Sequence, residues 1–147
     1  MNRLSIVTSL SAFFLSLQLG AQPVTNDNIL GTYNMRIGEQ EIAADATITP
    51  GHLALTLFPS TMLPPVECSG DWSLEGTTLR ASFTCPGVDD VPFSPIASTD
   101  VVKLNIQLAG FSLEDVESDN GVSAPASAQF KESDAATDAQ VWVHKVS

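Results

Sequence analysis

From Tyr33 onward, apolar side chains recur at every second position rather than every third or fourth, the mark of strands with one buried face. Tyr33, Met35 and Ile37 alternate with polar neighbours, as do Ile42, Ala44, Ala46 and Ile48. Leu53, Leu55 and Leu57 continue the pattern, then Cys68, Gly70, Trp72 and Leu74, then Leu79, Ala81, Phe83 and Cys85. Runs at Val102 to Leu108, Phe111 to Leu113, Ala124 to Phe130 and Val141 to Val143 bring the expectation to about nine strands. No stretch after residue 21 has the period of a long helix, and DAATDAQ at 134–140 fits one helical turn at most.

Turn chemistry fixes register at three places. Pro50-Gly51 joins two strands so that Ile48 faces Leu53, Ala46 faces Leu55 and Ala44 faces Leu57. If Cys68 faces Cys85 across a hairpin closed by Glu75 to Thr78, then Gly70 faces Phe83, Trp72 faces Ala81 and Leu74 faces Leu79. Small residues meet large ones, and opposed cysteines suit a disulfide. Asn120-Gly121 is a preferred pair for a two-residue hairpin turn. That turn would set Asp115 against Ala126, Leu113 against Ala128 and Phe111 against Phe130.

The same stretch, LEDVESDNG from Leu113 to Gly121, is rich in acids and tests as a calcium loop. Counted from Asp115, the sixth position is Asn120 rather than Gly and the twelfth is Ala126 rather than Glu, so the EF-hand spacing fails. Asp115, Glu117 and Asp119 read instead as a solvated cluster protecting a strand edge. No metal site is expected.

The expected fold is all-β, an antiparallel meander closing into a small barrel of about 8–10 strands, because closure removes exposed edges. A two-sheet sandwich is the rival. Two proline-bounded segments, Pro59 to Val66 and Pro86 to Asp100, escape the alternation. They are expected to cap a barrel end or flank the mouth of a cavity.

The amino terminus changes the compartment. Arg3 precedes an apolar run from Leu4 to Leu19, and cleavage after Ala21 gives a signal peptide over 1–21 and a single domain over 22–147. The apolar run falls short of the roughly 20 residues a bilayer requires. Secretion or a periplasmic location follows, with no membrane span after cleavage and with Cys68 and Cys85 paired.

The chain carries 17 Asp and Glu against 6 Lys and Arg. Removing Arg3 with the leader leaves 5 against 17, a formal charge of −12. Such a surface repels nucleic acid and anionic lipid and permits basic partners or cations. The only histidines are His52 and His144, each placed as a turn or strand-surface residue, and no nucleophile elbow, zinc-protease or phosphate-loop motif occurs. The expectation is a protein without enzymatic activity or cofactor.

At Gly31-Thr32-Tyr33 and Thr99-Asp100-Val101 the chain resembles lipocalin-like, or calycin, secreted barrels, with Tyr33 standing where that family has Trp. The resemblance implies an antiparallel barrel with an interior site for a small apolar ligand. The inward positions expected to line that interior are Tyr33, Met35, Leu55, Trp72, Phe83, Leu104, Phe111 and Phe130, with Trp72 as the fluorescent reporter. The alternative function is an acidic module that docks on a basic protein through its loops.

Overall fold

The computed structural model describes residues 22–147; the leader expected over 1–21 lies outside them. Eight strands form, each where the period of two was read. They are β1 (Gly31–Ile37), β2 (Ile42–Thr49), β3 (His52–Phe58), β4 (Val66–Glu75), β5 (Thr78–Thr84), β6 (Val102–Gln107), β7 (Val122–Gln129) and β8 (Thr137–Lys145). Every strand pairs antiparallel with its neighbour in sequence, and β1 pairs with β8, closing the barrel. Closure leaves no strand edge free, so the barrel form holds and the sandwich is excluded.

Two of the three expected registers are observed. Across the Pro50-Gly51 turn, Ile48 faces Leu53, Ala46 faces Leu55 and Ala44 faces Leu57. Across the β4–β5 hairpin, Gly70 faces Phe83, Trp72 faces Ala81 and Leu74 faces Leu79. Cys68 and Cys85 continue that register and are bonded, with Cα atoms 4.1 Å apart.

The third register does not form, and the ninth strand with it. Residues 113–117 are instead a one-turn helix, α1 (Leu113–Glu117). Ser112 caps it: its side chain accepts from the Asp115 amide, while the Asp115 carboxylate accepts from the Ser112 amide at 3.0 Å. This reciprocal box satisfies two amide groups that a helix start would otherwise leave unpaired. Both edges of β7 are meanwhile occupied, by β6 with Leu104 opposite Ala128 and by β8 with Ala124 opposite Val141. Phe111 and Phe130 therefore never meet. The region of DAATDAQ is likewise not helical at its end, since β8 begins at Thr137.

Asp115 and Glu117 therefore lie on a helix with structural partners and do not guard a strand edge. Asp115 holds the cap, and Glu117 lies 3.9 Å from the Lys145 ammonium. Asp115→Ala is expected to lower stability by about 1 kcal/mol, measurable by urea unfolding; an unchanged midpoint would show that the cap contributes nothing.

The two ends of the barrel differ. At one end, residues 22–30 and α1 lie across the opening: Ile29 and Val116 are buried, and the Leu113 amide donates to the Gln22 carbonyl at 2.6 Å. Lys145 reaches the same lid, donating to the Asn28 carbonyl at 2.6 Å. The other end carries the loops 38–41, 59–65, 85–101 and 130–136, and among the described residues it has no comparable lid. A 3-10 turn (Pro86–Asp90) follows Cys85 there and buries Val88.

Candidate ligand-binding site

Inward side chains of the strands divide the interior into two apolar cavities. Leu55, Phe83 and Leu104 border both and form the floor between them. The cavity under the closed end measures about 40 Å³ and is bounded by Tyr33, Met35, Ile48 and Ile106 below the lid residues Ile29 and Val116. The volume suffices for a few waters, but an apolar lining gives them no partners. That end behaves as packed core.

The open end is different. Its cavity measures about 280 Å³, close to the roughly 300 Å³ at which small-molecule sites begin. The walls are strand ends: Ile37 of β1, Leu57 of β3, Ala128 of β7 and Ala139 of β8, with Ile96 contributed by the loop 85–101. Polar groups appear only at the rim, where Glu39, Gln40 and Thr137 are exposed. Cys85 also lines this cavity, so the disulfide ties β4 to the strand end from which the covering loop departs.

The eight residues expected to line a site divide accordingly. Tyr33 and Met35 border the small cavity, Leu55, Phe83 and Leu104 border both, and Phe130 borders the open one while remaining 45% exposed. Trp72 and Phe111 are half-buried and border neither. Trp72 sits beside the Pro50-Gly51 turn, and its indole N–H donates to the Thr49 carbonyl at 2.6 Å. A backbone carbonyl thus satisfies the indole. Trp142 projects outside the barrel, under the Arg36 guanidinium at 4.6 Å, and donates to the Asn120 carbonyl. Neither indole reports directly on the open cavity.

Ile37, Leu57, Ala139 and the Glu39-Gln40 rim also border the open cavity and were not among the expected site residues. The signal for the first two was present in the alternation, which continues to the strand ends; the rim lies in a turn that no periodicity reaches.

Tyr33 has a structural role. Its hydroxyl donates to the Ile29 carbonyl at 2.5 Å, pinning the lid. Burial, reinforced by the negative charge of Glu117, pushes its pKa well above the ordinary 10.0. The unfolded chain thus releases this proton first, so stability is full below about pH 10 and falls as pH rises beyond it. Tyr33 is the sole tyrosine. Tyrosinate absorbance is expected to appear only as the barrel unfolds, and Tyr33→Phe to remove this part of the alkaline loss; ordinary titration without unfolding would contradict the assignment.

Comparison with protein-family models, curated proteins and solved structures returned no match for this chain. The class rests on the fold itself: an eight-stranded closed β-barrel carrying a disulfide, of which the antiparallel barrel is what the lipocalin resemblance implied. Among the described residues no helix is long and apolar enough to cross a membrane.

Proposed function

We propose that this chain is a secreted or periplasmic, lipocalin-like carrier that holds a small apolar ligand, without catalysis, in the open-end cavity. The observation that carries the reading is the asymmetry of the barrel. One end is sealed by residues 22–30 and α1, while the other leaves an apolar space of about 280 Å³ floored by Leu55, Phe83 and Leu104. Eight-stranded barrels are just wide enough to be filled by side chains or to hold one small ligand. The signal-peptide pattern and the Cys68–Cys85 bond support an oxidising compartment.

The test is titration of the purified protein with the neutral dye N-phenylnaphthylamine, whose emission rises on entering an apolar site. Saturable one-to-one binding is expected. Ala139→Phe, which places a ring in the half-buried mouth, is expected to weaken it at least tenfold while the barrel still melts cooperatively. No saturable binding, or undiminished binding in the folded variant, overturns the carrier reading.

Two observations favour a second reading, docking on a basic protein: the excess of 17 Asp and Glu over 6 Lys and Arg, and apolar side chains exposed on the open-end loops. Met62 and Phe93 are 90% and 102% exposed, and both lie in open-end loops together with Phe130. Phe93 also adopts φ 60, uncommon for a bulky residue. Association of that kind slows steeply with salt, whereas entry of a neutral dye hardly responds.

A further inference from the structure

Resting on the reading of the open cavity as a ligand site, we propose that it selects a single-tailed cationic amphiphile: the alkyl tail lies on Leu57, Phe83 and Leu104, and the ammonium head stays at the mouth beside Glu39. The polarity of the lining sets the orientation. Floor and walls are apolar, and the polar groups are confined to the rim as Glu39, Gln40 and Thr137. A charged head turned inward would lose its hydration with no partner to replace it, so the tail enters first.

The sign of the head follows from the charges around the opening. The loop 38–41 carries Glu39 and Glu41, the loop 85–101 carries Asp89, Asp90 and Asp100, and the loop 130–136 carries Glu132 and Asp134 against Lys131. The loop 59–65 has no charge. Seven acids against one base give the mouth a formal charge of −6.

Two of these carboxylates are engaged within their own loop. Asp100 accepts from the Ala97 amide at 2.7 Å and Asp89 from the Ser98 amide at 3.4 Å. Glu39 takes part in neither of the ion pairs found among the described residues, which join Arg80 to Glu75 and Lys145 to Glu117. Its turn is fixed to the barrel, with the Gly38 amide donating to the Gln140 carbonyl of β8 at 2.9 Å and the Glu41 amide to the Gly38 carbonyl at 3.1 Å. The carboxylate is thus presented at the rim on an anchored turn. A fatty acid would bring its own carboxylate to the same place and meet repulsion, and an alcohol would meet neither attraction nor repulsion.

Displacement of N-phenylnaphthylamine by decylamine, decanol and decanoate, near pH 7 and at low ionic strength, tests this directly. The tail is constant and only the head changes sign. The amine is expected to bind about tenfold tighter than the carboxylate, with the alcohol between them, because exposed charge pairs are individually worth only a few-fold. Glu39→Gln, at an exposed position, is expected to reduce that preference to about threefold. Salt near 1 M, where the screening length is about 3 Å, is expected to abolish it.

If the dye binds and the amine and carboxylate displace it equally, or the carboxylate is preferred, the charge selection is wrong and the carrier reading stands. A preference that Glu39→Gln leaves intact overturns the assignment to Glu39. Absence of dye binding defeats the carrier reading and this inference together.

Discussion

Replacing Cys68 and Cys85 together by Ala is expected to lower the stability of the barrel by about 3 kcal/mol. The bond joins residues 17 apart, and releasing a loop of that size returns roughly this much chain entropy to the unfolded state. Domains of ordinary size have only about 5–15 kcal/mol in total, so the loss is a fifth or more of the whole. Ala is the right replacement because both cysteines are buried, at 4% and 1% exposure. A pair of serines would bury two hydroxyls and confound the bond with a desolvation cost. Urea unfolding of the double variant, set beside wild type with and without reductant, gives the figure. A difference below about 1 kcal/mol, or two free thiols in the unreduced protein, would refute it. Binding is expected to suffer as well, since Cys85 borders the open cavity and starts the loop that brings Ile96 over it.

The fold was legible where a single local rule decided the outcome. A period of two gave the strands, and Pro50-Gly51 and the cysteine pair set two registers that the barrel keeps. Asn120-Gly121 misled because turn preference competes with everything else a segment can do. Ser112 and Asp115 already carried a helix-start box, and β7 had no edge left for a strand over 111–113. The candidate site was half legible for a related reason. Alternation tells which face a side chain occupies but not how far along the barrel axis it lies. Trp72 and Leu55 share the inward face, yet Leu55 reaches the floor of the cavity and Trp72 ends beside the turn at Pro50. Which end opens is decided by residues 22–30 folding back over the strands, a contact between segments remote in sequence. Lys145 meeting the Asn28 carbonyl, 117 residues away, is such a contact.

Gly70→Ala is expected to destabilise the protein by about 3 kcal/mol or more, although it adds one methyl group. Gly70 lies on the inward face of β4 between Leu53 of β3 and Phe83 of β5. A Cβ built there would stand 1.9 Å from the Ser82 carbonyl oxygen and 2.6 Å from the Cα of Phe83. Both neighbours are backbone atoms, so no side chain can rotate out of the way, and relief requires β5 to shift against β4. The sign of the effect makes the test sharp. In a strand with free space, Gly to Ala stabilises by about 0.5–1 kcal/mol, because Gly has more conformational freedom to lose on folding. A gain in the unfolding midpoint would therefore show that β4 and β5 are less closely apposed than described, whereas a large loss confirms the contact. Phe83 forms part of the floor between the two cavities. Any population of Gly70→Ala that folds is accordingly expected to bind N-phenylnaphthylamine more weakly than wild type, because relieving the clash displaces the ring on which the ligand rests.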